Sequence, residues 1–185
     1  MVNLEITAKS EQPTEKDLET ITAQLGRNPR DVSAVAHRCP CGQADVVTTP
    51  PRLADGTPFP TFYYATCPKL TGAISTLESS GLMNEMSQRL QSDLKLAGEY
   101  LAAHVDYEAA RKALAAILKL DVPEISGITA GGMPDRVKCL HSLVAHSLAV
   151  GTGVNPLGDE ALAALDPWWS SKPCSVIENL INEEQ

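Results

Sequence analysis

Apolar positions recur at helical spacing over most of this chain and alternate over a short stretch in its first third. Thr14-Glu15-Lys16-Asp17 has the form of a capping box, and Leu18, Ile21 and Leu25 follow at steps of three and four. With Gly26 as a C-cap, this predicts a helix over Glu15–Leu25. Val32, Ala34 and Ala36 then alternate with Ser33, Val35 and His37, which predicts a strand over Val32–Arg38. Cys39-Pro40-Cys41-Gly42 is a tight connection to a return strand over Val46–Thr49. A proline-rich loop leads to Thr61–Thr66, whose aromatic and β-branched residues give the strongest strand signal in the chain.

Beyond Pro68 the pattern is helical. Lys69–Ser80 forms one amphipathic run, ended by Gly81, and Asn84–Leu120 forms a long one with a break near Gly98. Ile125–Met133 reads as a glycine-containing loop. Pro134 suits the first position of a helix that runs to Val150. Asp159 caps a short helix through Leu165, and Pro167 stops it. The expected fold class is α+β: a small mixed or antiparallel sheet of about three strands packed with four to five helices, one of them long. Residues 1–185 read as a single domain, with 1–12 and 168–185 as peripheral tails.

Composition narrows the function. With 185 residues, 43% hydrophobic and 21% charged, the chain can bury one core and has ordinary globular composition. A net charge of −8 disfavours non-specific binding to nucleic acid, which depends on neutralised phosphates. The first ten residues lack a continuous apolar core, and no apolar run is long enough to span a bilayer, so a cytoplasmic protein without membrane contact is expected. Five cysteines in such a chain read as free thiols or metal ligands, not as a disulfide framework.

Those cysteines carry the sharpest chemistry. Zinc takes four thiolate or imidazole ligands in structural sites, and iron–sulfur clusters take thiolates. Cys39 and Cys67 lie at the ends of neighbouring predicted strands. Cys139 lies early in the helix expected from Pro134, where the helix dipole and Lys138 favour a thiolate. On a continuous helix, Cys139 and His146 are about 10.5 Å apart along the axis and cannot share one ion. His141 would point away from Cys139, into the apolar stripe of Val137, Val144 and Leu148, as a core histidine. The predicted metal set is therefore Cys39, Cys67 and Cys139, with Cys41 as the fourth thiolate and His37 or His104 as substitutes. The competing reading is that all are small buried hydrophobes, the reading adopted for Cys174.

Two further features stand out. Asp93, Tyr100, His104, Tyr107 and Arg111 form one line on the long helix, beside an apolar stripe of Met83, Met86, Leu90, Leu94, Ala97 and Leu101. Such a line is either the floor of a cleft, with His104 as general base, or a flank of snorkelling side chains. Gly131-Gly132-Met133-Pro134 opens the expected helix and precedes Arg136 and Lys138. With Arg38, Arg52 and Arg111 this suggests a pocket for a phosphate- or carboxylate-bearing small molecule.

Thr57-Pro58-Phe59-Pro60-Thr61-Phe62-Tyr63-Tyr64, Thr66-Cys67-Pro68 and Leu77-Glu78 together resemble the bacterial family DUF501. Gly131 through His141, Ala145-His146 and Gly153-Val154-Asn155-Pro156 continue the resemblance, which spans roughly Leu25 to Leu165. It implies an actinobacterial setting near cell-division and polyphosphate-related genes, and no defined chemistry. The expected function is a binding or regulatory module with a Cys-centred zinc, iron–sulfur or anion-binding pocket. The alternative is a hydrolase or transferase acting on a phosphorylated small molecule, with Cys139 as nucleophile and His104 or His146 as base. A third reading, implied by the resemblance alone, is a protein partner in the division machinery, for which Trp168 and Trp169 are the candidate anchors.

Overall fold

The structure is a computed structural model that describes residues 10–175. The elements run α1 (Glu15–Leu25), β1 (Ala34–Arg38), β2 (Ala44–Thr48), β3 (Tyr63–Ala65), α2 (Pro68–Glu78), α3 (Leu82–Ser92), α4 (Leu94–Leu118), α5 (Leu140–Val150) and α6 (Pro156–Ala163). The fold is α+β, as the hydropathy pattern predicts. Expected features in residues 1–9 and 176–185 lie outside the described residues.

β2 is the centre of a three-stranded antiparallel sheet of order β1-β2-β3, and all five of its residues are buried. Val47 faces Val35 on one side and Tyr64 on the other. α1 covers one face through Ile21, which packs with Val35, Ala44 and Val47. Its capping box forms as expected: Thr14 Oγ1 accepts from the Asp17 amide at 3.1 Å, and the Asp17 carboxylate accepts from the Thr14 amide at 2.9 Å. The opposite face meets α5 and the principal core, which contains Phe62, Tyr63, Leu70, Ile74, Tyr107 and Leu143.

Three boundaries differ from the sequence expectation. The long helical run breaks at Asp93 and not at Gly98, because Asp93 is extended and caps α4 by accepting from the Leu96 amide at 3.0 Å. This resets the helical phase. Met86 and Leu90 of α3 are buried, but Leu94 and Leu101 of α4 are 87% and 50% exposed. The expected polar line is instead the buried face of α4: Tyr100, His104, Tyr107 and Arg111 are all inside. Each engages irregular backbone or a loop side chain. The Tyr107 hydroxyl accepts from the Phe62 amide at 2.5 Å, Tyr100 donates to the Arg136 carbonyl, His104 Nδ1 lies 2.9 Å from Thr129 Oγ1, and Arg111 donates to the Pro60 and Ile125 carbonyls. It is neither a cleft floor nor a snorkelling flank.

The second correction concerns Pro134. Residues 134–139 are turn and extended chain, and α5 starts only at Leu140. Gly131 and Gly132, at φ +73° and +93°, fold this segment back on itself, so that the Lys138 amide donates to the Gly131 carbonyl at 2.7 Å. The third concerns the last helix. Asn155, not Asp159, caps α6 by accepting from the Gly158 amide at 2.9 Å. Gly158 lets α6 approach α5 closely, since a Cβ there would collide with the Leu143 carbonyl and Ser147 Oγ. Among the described residues no helix is long and apolar enough to cross a membrane.

Candidate functional site

Four of the five cysteines meet at one end of the sheet. Cys39 and Cys41 sit on the β1–β2 turn. That turn is closed by the Cys39 amide donating to Gln43 and the Gly42 amide donating back to Cys39, with Gly42 at φ +86°. Cys67 lies one residue beyond the end of β3, after Thr66, and is the N-cap residue of α2. β2 joins the two thiol-bearing segments: it pairs with both flanking strands, and its Asp45 carbonyl accepts from the Thr66 amide at 2.9 Å. Cys174 comes from the far end of the chain. Gln43 holds that segment by donating to the Ser175 carbonyl at 2.8 Å and accepting from the Ser175 amide at 3.0 Å. Trp168 and Trp169 pack against the core in the same segment, which is therefore docked and not peripheral over residues 168–175.

The sulfur atoms of Cys39, Cys41 and Cys174 all lie within 4.8 Å of one another, with Cys39 and Cys174 at 3.5 Å. The Cys67 thiol, fully buried, adjoins Cys174. Burial pushes the Cys39 and Cys174 thiols upward. Burial also opposes ionisation of Cys41, but the Gln43 and Cys174 backbone and the neighbouring thiols outweigh it and lower that thiol. All five cysteines are free.

Of the cysteines expected as metal ligands, Cys39, Cys41 and Cys67 meet here together with Cys174, and Cys139 lies elsewhere. The physical reason is tertiary, because Cys174 is brought in by a docking segment that has no periodic pattern. Its signal in the sequence was the apolar anchor Trp168-Trp169 shortly before Pro173-Cys174. The expected substitutes do not join the cluster either. His37 Nδ1 is 2.7 Å from Asp45 Oδ1, and His104 is bonded to Thr129.

Cys139 has a different setting. It is the N-cap residue of α5, in extended conformation at φ −157°, ψ 113°. Because the helix starts after it, its side chain and that of His141 fall together, where a continuous helix would have separated them. A ring nitrogen of His141 lies within 4.8 Å of the Cys139 sulfur, its Nδ1 is 3.2 Å from Glu78 Oε1, and its Nε2 is 3.2 Å from the Thr71 carbonyl and 3.4 Å from Ser75 Oγ. The same carboxylate oxygen accepts from the Leu140 amide at 2.6 Å, and Ser142 Oγ donates to Cys139 Sγ at 3.8 Å. The Cys139 thiol is the main cause that raises His141 to about 9, with Glu78 adding to it against burial. Burial would raise Cys139, but His141 and the Ser142 amide outweigh it and leave the thiol below its ordinary value. His146, an expected base, lies elsewhere: it is fully buried, stacked on Tyr63, and bonded to Asp106 at 2.9 Å and Asn155 at 3.3 Å. His104 is committed to Thr129.

Of the basic residues expected to form an anion pocket, Arg38, Arg52 and Arg111 have separate partners. Arg38 pairs with Asp17 at 2.7 Å and Glu11 at 2.9 Å, Arg52 pairs with Glu124 at 2.8 Å, and Arg111 is spent on carbonyls. Arg136 and Lys138 lie in the folded segment before α5 and not on its first turn. Gly131 and Gly132 shape that segment: a Cβ on Gly132 would lie 2.7 Å from the Arg136 carbonyl.

The family described as "Protein of unknown function (DUF501)" matches residues 35–163, which take in the sheet, Cys39, Cys41, Cys67 and the Cys139–His141 pair. Cys174 lies outside the matched span. Comparison with curated proteins and with solved structures finds no match.

Proposed function

The chain belongs to the DUF501 family, and we propose that it is a metal-binding module that holds one zinc ion with Cys39, Cys41, Cys67 and Cys174. The observation that carries this reading is the convergence of these thiols, with three sulfurs inside 4.8 Å and one pair at 3.5 Å. A tetrahedral zinc with Zn–S bonds of about 2.3 Å has sulfur–sulfur edges of about 3.8 Å. A disulfide would bring two sulfurs to about 2.05 Å. Thiolates on the separate irons of a four-iron, four-sulfide cluster stand well beyond 3.5 Å, the distance between the Cys39 and Cys174 sulfurs. One ion is thus favoured over a cluster.

Four thiolates leave no open coordination position, so this centre supports structure and binding rather than hydrolysis. The ion would tie together three segments: the β1–β2 turn, the junction of β3 with α2, and the docked 168–175 segment. Burial keeps Cys39 and Cys174 protonated without metal, so loading releases protons and weakens as pH falls.

Elemental analysis of protein purified anaerobically without a metal-chelating tag tests the reading. One zinc per chain is expected, with loss of that zinc in Cys174→Ala and its retention in Cys139→Ser. Metal-free wild-type protein that also fails to take up added zinc would end the proposal.

A further inference from the structure

A second thiol faces a cavity of its own. The cavity holds about 520 Å³ and is lined in part by Tyr63, Tyr64, Thr66, Cys139, His141 and Ser142. Gln24 also lines it, and Gln24 Oε1, Tyr63 Oη and Thr66 Oγ1 are buried without a hydrogen-bond partner among the described residues. Tyr63 and Thr66 are 0% and 2% exposed, so these are interior groups and not solvated surface ones. A neighbouring cavity of about 440 Å³ shares Leu25, Thr61, Tyr64 and Thr66 with the first, so the two form one groove. Arg27 and Arg30 line its other part, and among the described residues neither is in an ion pair within 4 Å.

We propose that this groove is an acyl-transfer site, in which Cys139 is the nucleophile, His141 its acid–base partner and Glu78 the carboxylate that orients His141, for an ester or thioester bearing an anionic group. The assignment is independent of the zinc centre, with which it shares no ligand. Its chemistry follows from the geometry. Cys139 occupies the N-cap position of α5, whose N-terminus favours a thiolate. Glu78 holds His141 through Nδ1 while also anchoring the Leu140 amide, so the carboxylate is fixed by two contacts. Nucleophile, base and orienting group all lie within 4.8 Å of one another. Both oxygen contacts of Glu78 are hydrogen bonds from N–H groups, an arrangement that suits a proton-handling pair better than a metal.

The Cys139 thiolate attacks the acyl carbon and forms a C–S bond. The bond to the leaving group breaks, and that alkoxide or thiolate takes the proton from the His141 imidazolium. Water then attacks the acyl-cysteine, gives a proton to neutral His141 and expels the Cys139 thiolate, which restores the starting pair. Phosphoryl transfer at Cys139 fits less well. A transferring phosphoryl group is held by Arg, Lys or metal clamps, and among the described residues no Arg or Lys lines the cavity at Cys139. The arginines lie further along the groove, where they would bind a phosphate or carboxylate remote from the reacting carbon.

The probes are p-nitrophenyl acetate and its carboxylated counterpart, mono-p-nitrophenyl glutarate, with zinc-loaded full-length protein. Stopped-flow absorbance should show a burst of about one p-nitrophenolate per chain, and mass spectrometry should place the acyl group on Cys139. Cys139→Ser should abolish both. His141→Gln should slow acylation about 10²-fold or more. The variant Arg27→Gln/Arg30→Gln should lower the ratio of the glutarate ester rate to the acetate rate to that of the esters in solution. Circular dichroism on each variant checks folding. If His141→Gln does not fold, the pH dependence of Cys139 alkylation by iodoacetamide in the wild type replaces it. A rate at pH 7 no faster than in the urea-unfolded chain overturns the proposal. So does acylation unaffected by His141→Gln, or loss of a bound metal in Cys139→Ser.

Discussion

Tyr107→Phe isolates one hydroxyl on which the placement of β3 depends. The Tyr107 oxygen accepts from the Phe62 amide at 2.5 Å and from the Tyr63 amide at 3.3 Å. Its ring sits edge-on to both Phe62 and Tyr63, and the residue is fully buried, with its hydroxyl pushed up to about 12 mainly by that burial. Removing only the oxygen keeps the ring contacts and strands the Phe62 amide. A buried donor left unpaired costs about 1–3 kcal/mol. The longer Tyr63 contact adds little. For a chain of this size each kcal/mol moves the melting temperature by about 2–4 °C, so a fall of about 2–12 °C is expected. Urea denaturation followed by tryptophan fluorescence and circular dichroism should give a lower midpoint with an unchanged slope. The loss should also reach function, because β3 leads through Thr66 to Cys67 and lines the Cys139 groove through Tyr63. A loss below about 0.5 kcal/mol would refute the reasoning, since it would mean the two amides are satisfied without Tyr107.

Other expectations follow from the same contacts. Gly131→Ala forces a side chain into φ +73° and places its Cβ 2.9 Å from Leu143 Cδ2 and 3.2 Å from the Cys139 carbonyl. It should cost about 1–2 kcal/mol or more and slow alkylation of Cys139. Gly98→Ala lies inside α4, with nothing within 4 Å of the new Cβ. It should stabilise by about 0.5–1 kcal/mol in chemical denaturation. His141 is raised to about 9 in the fold, so its contribution is complete below the ordinary histidine value of 6.5 and is lost as pH rises through about 9. The stability gap between wild type and His141→Gln should therefore narrow over that range. Stripping zinc with a strong chelator should lower the melting temperature and expose Trp168 and Trp169 to fluorescence quenching, and re-addition of zinc should reverse both.

Local signals were legible and tertiary ones were not. The capping box at Thr14, the C-cap Gly26 and the alternation around Ala34 and Ala36 all act within a few residues, and the elements they predict are present. The convergence of Cys39, Cys41 and Cys67 was readable because strand ends in a small sheet meet at one edge. Cys174 was not readable, because its position depends on Gln43 and on tryptophan packing across more than a hundred residues. The α4 face was inverted for a different reason. Burial there follows the unpaired backbone of neighbouring loops, which needs Tyr107 and Arg111 inside, and so displaces leucines to the surface. At Cys139 a shift of the helix start by a few residues changed the geometry completely. An i, i+2 pair diverges on a helix, but meets when the first residue lies just outside it.

The 135-residue separation of Cys39 from Cys174 has a kinetic consequence. Closing a loop of that length costs about 4 kcal/mol of chain entropy before any contact forms, whereas the β1–β2 hairpin closes over a handful of residues. The order of events in folding is thereby biased: sheet and helices assemble first, and the 168–175 segment arrives last onto a finished surface. What docks last by this route is also what leaves first. Opening of that segment alone breaks the Gln43–Ser175 bonds and frees one of the four thiols, while the core around Tyr107 stays closed. Amide exchange at Ser175 should then run ahead of exchange at Val46 and Val47, and the rate of metal exchange should follow this local opening and not the global unfolding of the chain.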